Sequence, residues 1–225
     1  MKGATKNNMI NAVIAIVLAY LIGSINFAVI FSKLFTKKDV RDMGSGNAGA
    51  TNVLRTAGLL PGILTFLFDA LKGFTACFVG KVIFLSAAYN GGSFPYGEYA
   101  VYLAFACGLA CMLGHVFPVF FRFKGGKGVA VAVGIFAVCC PIAIILGLSV
   151  FALALIISKI VSLSSLLATV TVVVFSAVFY DKSASLLPQI ILSVSMGAVV
   201  FLKHIDNIKR LISGTEKKIH IGRKQ

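Results

Sequence analysis

Apolar residues fill this chain in long runs, at about residues 9–31, 59–88, 99–121, 129–157, 163–180 and 186–202, with basic and polar residues gathered between them. A helix needs ~20 apolar residues to cross a ~30 Å hydrocarbon core, so the runs predict membrane-spanning helices. The first is too long for the apolar part of a signal peptide and has no obvious cleavage site, so it is expected to remain as a helix. The fourth is 29 residues long; as one helix it would measure ~43 Å. Cys139, Cys140 and Pro141 lie at its middle, where proline breaks a helix. The expectation is two short helices folded back at Pro141, within an all-α, polytopic transmembrane bundle of seven segments. Five segments are the alternative, if the last two runs merge or skim the surface. No stretch is long or polar enough for a separate soluble domain, so residues 1–225 are expected to form one membrane domain.

Composition supports lipid as the solvent. The chain is 59% hydrophobic and 12% charged, with a mean hydropathy of +0.97, whereas soluble domains are about half apolar and a quarter charged. The net charge of +14 would suit nucleic acid, but its placement argues for topology signals and an anion-binding face. Lys2 and Lys6 precede the first run, and Lys33, Lys37, Lys38, Arg41 and Arg55 follow it. Residues 87–98 contain no Lys or Arg, Arg122, Lys124 and Lys127 follow the third run, and seven basic residues follow Leu202. This distribution predicts an N-terminus outside, a cytoplasmic C-terminus and an odd number of crossings. The five cysteines all lie in apolar stretches, as small buried residues do. Cys107, Cys111 and His115 share a helix face but lack a further acidic or histidine partner, so no metal is expected.

The loops expected on the cytoplasmic face hold three polar clusters. Residues 44–55 read GSGNAGATNVLR. Closely spaced glycines let backbone amides converge on an anion, Ser45, Asn47, Thr51 and Asn52 add donors, and Arg55 can grip a phosphate with two bonds. By itself the segment is equally a solvated turn. Residues 123–128 read FKGGKG and lead into an apolar run. Lys124, Gly125, Gly126, Lys127 and Gly128 therefore form a glycine loop at a helix start, a ready phosphate site. It lacks the Walker A spacing, so nothing points to ATP. A basic anchor with hinge glycines would look the same. His115 lies just before it, as a substrate contact or a hydrogen-bonded interfacial histidine. The third cluster starts at His204; if the last helix continues, His204, Asn207 and Arg210 share a face, and His204 could orient a hydroxyl or act as a base. An amphipathic tail on anionic lipid is the other reading. Asp69 and Lys72 stand one turn apart inside the second run, where ionisable groups are usually paired; they are expected to form a structural ion pair bracing the site. Lys81 is expected to snorkel outward.

In this order, the clusters resemble the bacterial acyl-phosphate-dependent glycerol-3-phosphate acyltransferases. The resemblance rests on GSGNAGATNVLR at 44–55, GHVFPVFFRFKGGKGVA at 114–130 and HIDNIKRLISGTE at 204–216, with DALKG at 69–73 and YLIGS at 20–24. It implies transfer of an acyl group from acyl phosphate to the sn-1 hydroxyl of glycerol 3-phosphate, giving lysophosphatidate and phosphate without a cofactor, at a bacterial cell membrane. It also implies site roles for Ser45, Asn47, Thr51 and Arg55, phosphate binding by Lys124, Gly125, Gly126, Lys127 and Gly128, support of the reacting groups by His204 and Asn207, and a structural role for Glu216. Asn26 departs from the family's usual proline, and Ile205 from its usual basic residue. With no Ser-His-Asp set apparent, direct displacement without an acyl-enzyme is expected. A transporter of a phosphorylated small molecule is the alternative function, although transport sites usually lie near the bilayer midplane between repeats.

Overall fold

The computed structural model describes residues 2–89 and 96–219, without the side chains of residues 2–8, 84–89, 96 and 97. The side chains of Lys2 and Lys6, the residues Arg223 and Lys224, and the centre of the uncharged 87–98 loop lie outside what it describes. The described residues form ten α-helices and no strand: α1 (Lys2–Gly23), α2 (Phe27–Thr36), α3 (Ala50–Ala57), α4 (Leu59–Tyr89), α5 (Tyr96–Val116), α6 (Val129–Cys139), α7 (Pro141–Ser158), α8 (Val161–Val178), α9 (Leu186–Lys203) and α10 (Ile205–Ile212). Six stretches are long and apolar enough to cross a membrane, and α6 is a shorter apolar helix. The surface they present is apolar: Ile145 on α7 and Leu202 on α9 are 62% and 64% exposed, which only a lipid environment makes favourable.

Two breaks shape the bundle. The expected division of the fourth run occurs where Cys140 leaves the helical region and Pro141 takes the first position of α7, a place where its missing N–H costs no helical bond. The first run, expected as one helix, is corrected to two. Its backbone leaves the helix after Gly23, and Asn26 restarts it by accepting a bond from the Val29 amide at 3.2 Å. An asparagine at this position therefore supplies an N-cap for α2.

The carbonyls stranded at the end of α1 are met from α4. Lys72 Nζ donates to the Gly23 and Ile25 carbonyls at 3.0 and 2.8 Å, and lies 2.8 Å from Asp69 Oδ1. It also sits 3.1 Å from His115 Nδ1 on α5. One buried ammonium thus joins three helices and satisfies carbonyls left without a helical partner. Between α4 and α6 contact is close enough that a Cβ at Gly134 would collide with the Ala70 carbonyl; small residues allow such backbone approach in membranes. Lys81 pairs with Asp181 at 3.8 Å instead of only reaching outward.

Candidate active site

A cavity of about 700 Å³ opens among the 44–55 loop, the glycine loop, the end of α9 and the strap that follows α10. Its polar end carries Arg55, Lys124, Lys127, Lys203, Arg210 and Lys217 against Asp69, Asp206 and Glu216. The excess of cations suits an anionic ligand. The other end runs between α6, α7, α8 and α9 and is walled by Phe136, Ile144, Leu148, Phe151, Val172 and Met196. One continuous space therefore joins a cationic mouth to an apolar groove.

Each loop is held in shape by its own sequence. In the first, Gly44 and Gly46 adopt φ of +61° and +71°, left-handed values that cost glycine little. Asn52 is 2% exposed; its amide nitrogen donates to the Val40, Met43 and Asn47 carbonyls at 3.0, 2.9 and 3.1 Å, and its oxygen accepts from the Ser45 amide at 2.9 Å. Expected as a substrate contact, Asn52 instead uses its polar atoms to close the turn that presents Ser45 and Asn47. Arg41 ties this loop to the next, donating to the Phe121 carbonyl at 3.1 Å while Asp39 holds its guanidinium at 2.8 Å. That bond, ahead of an opposing effect of burial, holds the Asp39 carboxyl down to about 2. Ala50 and Thr51 then open α3 behind Gly49, which has no side-chain cap, so early amides of α3 border the cavity.

The glycine loop differs from its expected use in one respect. The Gly126 amide donates to the His115 carbonyl at 3.1 Å and is spent within the protein. A Cβ at Gly126 would strike the His115 ring and approach the Ala48 carbonyl to 2.7 Å, and one at Gly125 would strike the His115 carbonyl. These glycines are needed for close packing across three segments. Gly128, at φ +86°, precedes α6 without a side-chain cap, and Val129 and Ala130 face the cavity. The starts of α3 and α6 therefore both border the cationic end, where their dipoles favour negative charge. His115 is buried between Lys72, Asp69 Oδ1 at 3.5 Å, and Gly126, and it borders the cavity.

The third cluster differs from a simple extension of α9. The helix ends at Lys203, His204 caps it, and α10 starts anew. His204 Nδ1 lies 2.8 Å from the Val200 carbonyl. A carbonyl only accepts, so Nδ1 carries the proton and the neutral ring keeps Nε2 as an acceptor. Burial, followed by the nearby Lys127 charge, pushes the His204 pKa down to about 4. Asn207 bridges the clusters: its oxygen accepts from Lys127 Nζ, and its nitrogen donates to Glu216 Oε1 at 2.6 Å. Glu216 also accepts from Arg210 Nε at 2.6 Å and Ser162 Oγ at 2.8 Å. Burial raises its carboxyl pKa, but these three bonds outweigh that effect and hold it below the usual value. Arg55 donates to the Lys217 carbonyl at 3.4 Å, and the Ile219 amide to the Lys159 carbonyl at 2.7 Å, which seats the strap across α7 and α8. Lys127 is pushed down to about 8, first by burial and then by Arg210 and Arg55, against the pull of Glu216.

Ser45, Asn47, Thr51, Asn52, Arg55, Asp69, His115, Lys124, Gly125, Lys127, Gly128, His204, Asn207 and Glu216 all border the cavity, whereas Lys72 and Gly126 stand behind it. Ser162, Lys203 and Lys217 were not anticipated; their types are ordinary at a membrane boundary, and no spacing sets them apart. Among the described residues no group of three His, Cys, Asp or Glu side chains is placed to hold a metal.

These features define a polytopic membrane protein with a cationic site opening into an apolar groove. Residues 13–214 match the family model described as Glycerol-3-phosphate acyltransferase. The chain is 42% identical over 207 residues to Glycerol-3-phosphate acyltransferase 2 of Bacillus anthracis, covering 92% of this chain and 98% of that protein. It is 38% identical over 208 residues to the glycerol-3-phosphate acyltransferase of Thermoanaerobacter sp. (strain X514), covering 92% and 96%. Among solved structures it is similar to PlsY, an integral membrane glycerol 3-phosphate acyltransferase, in its glycerol 3-phosphate form. The TM-score is 0.78 at 34% identity, covering 93% of this chain and 96% of that one. The chain belongs to the glycerol-3-phosphate acyltransferase family.

Proposed function

We propose that this chain transfers a fatty acyl group from acyl phosphate to the sn-1 hydroxyl of glycerol 3-phosphate on the cytoplasmic face of a bacterial cell membrane. Membership in the family makes it an acyltransferase with glycerol 3-phosphate as acceptor, embedded in the membrane through several helices. The donor reading is carried by one observation: the cationic end and the apolar groove are one cavity. An acyl phosphate has an anionic head on an apolar chain, and this space offers complementary surroundings to both. Seven segments, α1, α4, α5, α6, α7, α8 and α9, would leave the N-terminus outside and the C-terminus in the cytoplasm. The basic loops after α2, α5 and α9 meet at one site, which supports placing them on one face.

In the proposed reaction the glycerol hydroxyl attacks the acyl carbonyl carbon, the carbon–oxygen bond to phosphate breaks, and phosphate leaves with the bonding electrons. The donor is already activated, so the protein's main tasks are to place two anions and to stabilise the oxyanion. Lys127 and Arg55 suit those tasks. His204 Nε2 can accept the hydroxyl's hydrogen bond and orient it, while the departing phosphate takes the proton, because an imidazole with a pKa near 4 is a weak base. Asn207 holds Lys127, and Glu216 holds Asn207 and Arg210.

The deciding assay mixes purified, detergent-solubilised protein with palmitoyl phosphate and radiolabelled glycerol 3-phosphate, beside palmitoyl-CoA and acylated carrier protein. Lysophosphatidate is expected from acyl phosphate alone. Product from the other donors and none from acyl phosphate would reject the donor assignment. No stable acylated protein is expected when acyl phosphate is supplied without acceptor.

The charge on Lys127 sets a pH limit. Its ammonium is lost as pH rises through about 8, so kcat/KM should fall above that pH by up to about tenfold per unit. Arginine stays charged throughout this range, so Lys127→Arg should keep part of the activity and lack this alkaline limb. An identical limb in both proteins would assign the titration elsewhere.

A further inference from the structure

We propose that Gly147 on α7 and Gly197 on α9 set the upper length of the acyl chain this enzyme accepts; the inference rests on the acyl chain occupying the groove, as in the function proposed above. Both glycines border the cavity, and so do the α8 residues they face, Thr169, Val172 and Val173. Val173 is eleven residues beyond Ser162 on α8, and Gly197 is seven residues before His204 on α9, so this wall lies ~10–16 Å along the helices from the polar end. The terminal carbons of a long chain would reach that wall.

At this depth the missing side chains leave room in the groove. A Cβ on Gly197 would come within 2.9 Å of Val173 Cγ2 and 3.7 Å of Thr169 Cγ2. The first contact is with a side-chain methyl and not with backbone, so the added methyl would press on Val173, whose branched side chain turns little within a helix. Either the new methyl or the displaced valine then occupies groove volume. A Cβ on Gly147 would strike Val172 Cγ2 and lie 3.3 Å from the Ala168 carbonyl, so that side has less freedom to adjust. At each glycine the closest atom is the methyl of a valine that itself lines the groove. The added bulk therefore meets the end of a long chain and leaves the cationic end unchanged.

The experiment compares acyl phosphates from ten to eighteen carbons as donors for the wild type, Gly197→Ala, Gly197→Val and Val173→Ala. Gly197→Ala is expected to lower kcat/KM for the palmitoyl donor by about tenfold relative to the lauroyl donor, within the range one methylene commands in an apolar pocket, and Gly197→Val by more. Val173→Ala is expected to shift the profile towards longer chains. The KM for glycerol 3-phosphate should stay within about twofold in all variants, because the acceptor binds at the other end. An unchanged length profile in active Gly197 variants and in Val173→Ala overturns the inference and leaves the donor assignment standing. A wild type that uses no acyl phosphate of any length overturns the donor assignment itself. Should Gly197→Val fail to fold, Gly197→Ala and Val173→Ala still give opposite predicted shifts.

Discussion

Replacing Lys127 by methionine is expected to lower kcat/KM by about 10²–10³, the loss seen when one preorganised donor to a developing oxyanion is removed. Lys127 is pinned by Asn207, stands among Arg55 and Arg210, and borders the cavity beside the start of α6. Burial and the nearby Arg210 and Arg55 push its pKa down, because the fold holds this charge short of water and close to other cations. A site that holds positive charge at such a cost is arranged to receive an anion. The methionine variant should therefore keep or gain thermal stability while losing activity, a combination that a purely structural lysine would not give. Activity within threefold of the wild type, in folded protein, would remove Lys127 from the reaction.

Replacing Lys72 by methionine should act through the opposite route. This ammonium is 4% exposed and serves Asp69, the Gly23 and Ile25 carbonyls and His115 together. Its removal leaves a buried carboxylate without its cation and two carbonyls at the end of α1 without a donor, and breaking such a pair costs about 3–5 kcal/mol. For a chain of this size that corresponds to a fall in Tm of about 6–20 °C, measured in detergent. His115 lies against Gly126, so loosening it should also raise the KM for glycerol 3-phosphate. The double variant Asp69→Asn with Lys72→Met removes the stranded charge and should recover much of the Tm, but little of the KM. A single variant that melts within two degrees of the wild type would contradict this account.

Much of the architecture was legible in the chain because lipid imposes a simple rule: every span must be apolar and must satisfy its own backbone. The break at Pro141 followed from proline chemistry and from the excess length of one run. The break at Ser24 to Asn26 did not show, because Asn26 interrupts a run whose hydropathy otherwise continues, and its capping bond depends on the chain turning there. The site was legible as three clusters, whose glycines, donors and cations announce anion chemistry when they lie close in sequence.

What separates substrate contact from support within those clusters is a matter of direction, which sequence does not record. Asn47 and Asn52 are alike as residues, yet Asn52 spends both polar atoms on its own loop. Gly126 and Gly128 belong to one motif, yet the first packs against His115 and the second opens α6. The sequence by itself determined the helical class, the apolar spans and the chemistry of the three loops, because these depend on residue type and near neighbours. Only the tertiary structure decided that Ser162 and Lys203 join the site, that Lys72 holds the end of α1, and that Gly147 and Gly197 border the groove opposite α8. Those facts arise from contacts between residues dozens of positions apart, where packing chooses the partner.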